Sequence, residues 1–173
     1  MAKMETTIVN RKSDIISAAI EVFAEIGYYR ATTAQVAERA KISQPYIFCF
    51  FSTKEALLLT ALEVSWTRVI DSFRKVVEAA PSEQLESDLV QAYVDILDMY
   101  QNEVLLQMQA QTIREDSIQE AMRNGFGEVR RMVLDAFRAG SIPNAEERTM
   151  LFLARGVLCN ISVALAMPEL KDI

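Results

Sequence analysis

Gln44, Pro45 and Tyr46 stand together at the front of a short helical pattern, and Thr33, Ser43 and Lys54 stand at three nearby helix starts. A short helix that projects polar and aromatic side chains from its first turns can enter a DNA major groove. Helix starts favour phosphate, because their free N–H groups and the helix dipole attract anions. The chemistry these residues offer is recognition of a polyanion rather than bond making. Histidine is absent from the whole chain. That removes a Ser-His-Asp triad, a His-ligated zinc and a His general base together. The two cysteines, Cys49 and Cys159, match neither a metal spacing nor a disulfide framework, which suits a reducing cytosol. The sequence therefore predicts no catalytic residue, no metal and no cofactor.

The elements that must position these residues are helices. The chain has 173 residues, 51% hydrophobic and 24% charged, with only 5 Gly and 4 Pro. It can bury a core, and it has too few turn residues for a β-sandwich or a Gly-loop α/β enzyme. Net charge is −6, which at face value argues against a nucleic-acid binder. The average hides a division. Residues 1–56 carry 7 basic and 6 acidic side chains (+1), and residues 57–173 carry 11 and 18 (−7). A head over 1–56 and a body over 57–173 are the expected domains.

In the head, Ile15, Ile16, Ala19, Val22, Phe23 and Ile26 form one face of a helix over about 11–26, closed by Gly27. Thr32-Thr33-Ala34-Gln35 has capping-box form and opens a helix over Val36, Ala37 and Ala40. Ser43 caps the next, with Pro45 tolerated in its first turn. Ser52-Thr53-Lys54-Glu55 is a second capping box. Two short helices with a three-residue break, 33–40 and 44–50, have helix-turn-helix proportions. Gln-Pro-Tyr in isolation would be an ordinary surface helix start, and Arg11 and Lys12 read equally as a DNA-reaching arm or as solvated charges.

In the body, a helix over 54–80 carries Leu58, Leu62, Trp66, Val69, Ile70, Phe73 and Val77, and Pro81 breaks it. Further helices follow from Leu85, through 103–114 with Gln107, Gln109 and Gln111, over 118–137, and from Asn144-Ala145 to about Leu165. The opening residues 1–10 lack the apolar core of a secretory signal. The apolar run 150–167 contains Arg155, Asn160 and Ser162, so it reads as a buried helix and no membrane span is expected.

The stretch from Ile15 to Leu58 resembles the DNA-binding domain of TetR-type transcriptional repressors. The likeness covers about residues 11–62, with its pieces in family order: an apolar helix with A-x-x-x-F, Gly27-Tyr28, Thr32-Thr33, Val36-Ala37, Ile42-Ser43, Phe51 and Lys54-Glu55. Residues 154–165 resemble the C-terminal part of such regulators more weakly. The resemblance implies an all-α chain: a three-helix DNA-binding head, then a helical bundle for effector binding and dimerisation. It implies a cytoplasmic, non-enzymatic repressor. Such a protein binds a palindromic double-stranded operator as a homodimer and is released by a small molecule. Thr33 matches a phosphate contact, Gln44, Pro45 and Tyr46 the base- and methyl-contacting front of the recognition helix, and Lys54 a phosphate-binding lysine. Ser43 stands at the start of that helix. Phe48 and Phe50 occupy positions where the family has Tyr and His or Tyr, and Phe50 cannot donate a hydrogen bond. Lys41 replaces the turn glycine, at a cost of roughly 1 kcal/mol for a left-handed backbone, and adds a charge beside the DNA. A helical adaptor that has lost sequence-specific DNA binding is the alternative.

For the effector, Trp66, Phe73, Tyr93, Tyr100, Met108, Met122 and Phe126 lie on inward stripes of several helices, with Gln111 among the glutamines able to orient a ligand. Each is also readable as ordinary core. The last helix is apolar on too many sides for one surface. Leu151, Leu153, Ala154, Val157, Leu158, Ile161 and Leu165 are expected in the protomer core. Phe152, Cys159 and Val163, with Met132 of the preceding helix, are expected at a dimer interface, where Gly156 permits close approach.

Overall fold

The computed structural model describes residues 2–170, with side chains described from Asn10 onward. Lys3, Glu5 and the other side chains of the polar opening segment lie outside that description. Eight α-helices run in order: α1 Ala2–Ile26, α2 Thr33–Arg39, α3 Gln44–Ile47, α4 Lys54–Ala79, α5 Leu85–Met99, α6 Gln101–Ala110, α7 Asp116–Ala139 and α8 Ala145–Leu165. A 3₁₀ turn, Pro168–Leu170, follows, and no strand occurs among the described residues. α1, α2 and α3 form the head. α4 runs out of it and packs on α5, α6 and α7, while α8 packs on α5, α6 and α7.

The local chemistry explains the head. Thr32 accepts from the Gln35 backbone N–H, and the Gln35 side chain accepts from the Thr32 N–H at 2.9 Å, so both halves of the capping box form. α2 then closes with paired backbone bonds, Lys41 N–H to Glu38 C=O and Ile42 N–H to Ala37 C=O. That closure needs a left-handed residue, and Lys41 stands there at φ 55°. Ser141 (φ 55°) and Ala166 (φ 52°) end α7 and α8 in the same way. Gly27, at φ 80°, ends α1, where a side chain would be strained. Two expected caps shift. Thr53, not Ser52, caps α4 by accepting from the Ala56 N–H, and Ser43 precedes α3 without a side-chain capping bond.

One continuous apolar cluster runs from Ile15, Phe23, Val36, Ile47 and Phe51 in the head through Leu58 and Leu62 to Phe73, Phe137 and Phe152 in the body. The head is therefore packed onto the body and not strung from it. Arg39 of α2 also holds α1: its fork donates to Glu21 at 2.7 Å and to both oxygens of Glu25 at 2.9 and 2.7 Å. The Arg39 hydrogen bond holds the Glu25 carboxyl below the usual carboxylate range. A depressed carboxylate stabilises the fold above its unfolded pKa and loses that contribution as pH falls through its folded pKa. Thermal melts across the carboxylate range, ~pH 2–5, are expected to show R39M with a flatter acid limb than the parent chain.

The α8 faces depart from the expectation in part: Leu153 packs against the core as expected, while Leu151, Ala154, Val157 and Leu165 are exposed. Phe152 and Cys159 are buried inside the protomer: Phe152 packs on Phe73 and Phe137, and Cys159 sits with Leu97 and Val104, against which Val163 also packs. Met132 is half-buried against the main core. The outward side is instead Met150, Leu151, Val157 and Leu165. The buried side of α8 carries polar residues that find partners within the protomer. Thr149 donates to the Ala145 C=O at 2.7 Å, Asn160 accepts from Tyr93 at 2.7 Å, and Ser162 donates to the Met167 C=O at 2.7 Å. By length and composition α8 could cross a membrane, yet it is docked on three neighbouring helices. Gly156 faces Tyr93 of its own chain.

Candidate functional site

The candidate reading surface begins at Gln44, whose Nε2 donates to Thr33 Oγ1 at 2.9 Å and ties the front of α3 to the first residue of α2. In α3 only Ile47 is buried, which anchors the helix to the core. Gln44, Pro45 and Tyr46 remain exposed, with Phe48 50% exposed just beyond. The regular helix ends at Ile47, and tight turns carry the chain on to Phe51. Phe50 is half-buried with its ring 5.3 Å from Tyr46 and 6.5 Å from Phe51. It thus backs the Tyr46 ring, an arrangement that needs no hydroxyl. Lys41 and Ser43 are exposed. From Ile42 to Thr53 there is no charged residue. Arg11 pairs with Asp14 at 3.6 Å, and Lys12 lies 5.8 Å from the Phe51 ring centre, so both belong to α1.

Lys54 points back into the protein. Its ammonium donates to the carbonyls of Tyr28 (2.7 Å), Ala31 (3.0 Å) and Tyr29 (3.4 Å), and it lies 4.5 Å from the Tyr28 ring centre. All three donors are engaged with the α1–α2 turn, so the geometry is that of a brace under the reading surface.

In the body a cleft of about 440 Å³, counting its open mouth, lies between α4, α5, α6, α7 and α8. Trp66, Phe73, Tyr93, Phe126 and Gln107 of the expected residues line it, together with Asn160. The remaining expected residues stand elsewhere. Tyr100 stacks under Arg68, with the guanidinium 4.4 Å from its ring centre. Gln111, at the C-cap of α6, is exposed and lines a shallow outer groove with Met122. Met108 is half-buried and absent from the cleft lining, because the buried residues Val104, Gln107 and Ala110 set the inward phase of α6. Asn160, missed as a lining residue, carried a readable signal: an amide on an otherwise apolar helix. Gln107 donates to Ser65 at 2.8 Å. The Tyr93 hydroxyl donates to Asn160 Oδ1 at 2.7 Å, and burial pushes its pKa up to about 12 despite that bond. Y93F strands the buried Asn160 acceptor and is expected to cost about 1–2 kcal/mol in urea unfolding.

Among the described residues, three long-range side-chain hydrogen bonds join head to body. Gln109 donates to the Ala24 carbonyl at 2.7 Å, Tyr29 to Glu115 at 3.0 Å, and Ser117 to Glu55. Gln107 and Gln109 lie two residues apart on α6, one at the cleft and the other on the end of α1.

A helix-turn-helix head packed on a helical body with an internal cleft is the architecture of a DNA-binding transcriptional regulator. Residues 15–61 match the family described as bacterial regulatory proteins, tetR family. The chain is 28% identical over 139 residues to the HTH-type transcriptional regulator HbdR of Aromatoleum sp. (strain CIB), a match covering 76% of this chain and 58% of HbdR. The fold is shared with a transcriptional regulator from Saccharomonospora viridis in complex with choline (TM-score 0.81, 16% identity, 95% and 93% coverage). It is also shared with FadR from Bacillus subtilis in complex with stearoyl-CoA (TM-score 0.74, 16% identity, 92% and 89% coverage). The head of this chain is thus similar to the DNA-binding domain of TetR-type transcriptional regulators, and the whole chain shares their fold.

Proposed function

We propose that this regulator is a cytoplasmic, non-enzymatic repressor that binds a palindromic operator as a homodimer and lets go when a small apolar effector fills the cleft. The head over 1–56 recognises DNA, and the body over 57–173 senses and dimerises. The observation that carries the reading is the short α3, which buries Ile47 and leaves Gln44, Pro45 and Tyr46 exposed. Gln44, Pro45, Tyr46 and Phe48 contact bases and thymine methyls, while Thr33, Ser43 and Lys41 contact phosphate. The exposed Met150, Leu151, Val157 and Leu165 of α8 supply the interface with a second copy. Two heads then meet half-sites about 34–36 Å apart. The effector cleft is supported by the ligands bound to the two structural neighbours. An effector that moves α6 at Gln107 pulls on the end of α1 through Gln109, alongside any shift of α4. The coupling need only be ~1–3 kcal/mol.

A gel-shift and footprint on the chain's own upstream region tests this reading. A symmetric footprint, and affinity falling with salt at a log–log slope of about −2 for one cationic phosphate contact on each of two heads, is expected. Q44A relaxes base preference while leaving the slope unchanged. Light scattering gives a dimer at micromolar concentration. The charge-free stretch from Ile42 to Thr53 favours a second reading, a helical adaptor without sequence-specific DNA binding. Equal, weak binding to every sequence at low salt would decide for it.

A further inference from the structure

We propose that the cleft selects a neutral, ring-sized compound bearing a hydrogen-bond acceptor, an aromatic ketone or a molecule of that kind, and rejects ions of either sign. The proposal rests on the reading of the cleft as the effector site and names what that site takes.

Two observations carry it. The first is an unused donor. Among the described residues, two buried side-chain polar atoms lack a hydrogen-bond partner: Trp66 Nε1 and one Glu86 oxygen. The Glu86 oxygen is ion-paired with Arg148, which leaves Trp66. Trp66 is 8% exposed and lines the cleft. A buried N–H without an acceptor is costly, and a ligand oxygen there would relieve that cost. The neighbouring donors are already committed, Tyr93 to Asn160 and the Gln107 amide to Ser65.

The second observation is the lining. Among the described residues, no Asp, Glu, Lys or Arg lines the cleft. Its one titratable group, the Tyr93 hydroxyl, stays neutral across the physiological range. An ion would enter without a counter-charge and lose its hydration unpaired. The walls are aromatic: Trp66 and Phe126 lie 4.9 Å apart, and Phe73 is 5.6 Å from Phe152 and 6.0 Å from Tyr93. Such walls favour a flat ring edge-on or offset. The enclosed part of the cleft is small, about 40 Å³, so a ring enters only as these aromatic side chains give way.

Four probes separate the possibilities on the full chain. Acetophenone has the ring and the acceptor, ethylbenzene the ring alone, benzoate a negative charge and phenyltrimethylammonium a positive one. Calorimetric titration is expected to give acetophenone binding about five- to tenfold tighter than ethylbenzene, the margin of one hydrogen bond. Neither ion should bind. Trp66 is the chain's only tryptophan, so a ¹⁵N-labelled sample shows one indole N–H signal. Acetophenone should move it downfield, whereas ethylbenzene should leave it near its free position. In W66F the preference for acetophenone disappears. Equal affinities for acetophenone and ethylbenzene with no specific indole shift, or binding of either ion, would overturn the proposed selectivity while leaving an effector cleft in place. If no probe bound, both the selectivity and the effector reading would fall.

Discussion

Lys54→Ala lowers the stability of the protein by about 3 kcal/mol, the size expected when a charged donor leaves several carbonyls without a partner. The ammonium donates to three carbonyls of the α1–α2 turn and lies over Tyr28. Its removal loosens the segment that sets α2 against α4. K54M keeps the aliphatic stem and should lose nearly as much, because the stem cannot satisfy a carbonyl. Urea unfolding followed by circular dichroism measures the loss. The consequence for DNA follows from the geometry. Operator and random sequence should weaken together, because the whole reading surface loses its support. A lysine that only touched phosphate would behave differently: the urea midpoint would hold, and the salt slope would become shallower by about one. An unchanged midpoint with a shallower slope would return Lys54 to the DNA surface.

Gly125→Ala carries the second large effect. A Cβ at Gly125 would overlap the indole of Trp66, which is wedged between α4 and α7 with Phe126 at its edge. The ring is rigid and 92% buried, so the clash is not relieved by turning a flexible tip. Overpacking of this kind costs about 1–3 kcal/mol, and the upper end is expected here because the methyl meets ring atoms directly. The lone tryptophan reports the outcome. Its emission should shift to the red as the indole is driven toward water, and the melting temperature should fall in parallel. Unchanged emission together with an unchanged melting temperature would mean that the α4–α7 contact can spread without loss. Gly127, two residues on, is a control on the same helix: a Cβ there meets nothing within 4 Å.

These two residues show where sequence reading works and where it stops. The Thr32–Gln35 capping box was legible because both partners lie within one turn, and each half forms. Trp66, Phe73, Tyr93 and Phe126 were legible as inward residues, and they line the cleft. Lys54 was not legible as a brace, because its acceptors lie 23 to 26 residues away and only the folded turn gathers them. Ser52 and Thr53 are both able caps, so sequence could not choose between them. The α8 faces were only partly legible for a related reason. A helix apolar nearly all round has no dominant stripe, and its polar Thr149, Asn160 and Ser162 pair inside the protomer, while Met150 and Leu151 face out. Polarity predicts exposure only when no partner waits within.

The left-handed helix ends at Lys41, Ser141 and Ala166 have a consequence for heat tolerance. Each holds a side chain where glycine would sit without strain, at roughly 1 kcal/mol apiece. In a chain of this size that is about 2–4 °C of melting temperature per position. Two of the three, Ser141 and Ala166, end body helices remote in sequence from the reading surface. The molecule thus carries thermal headroom that glycine at those two ends would release, without altering the exposed front of α3 or the cleft lining.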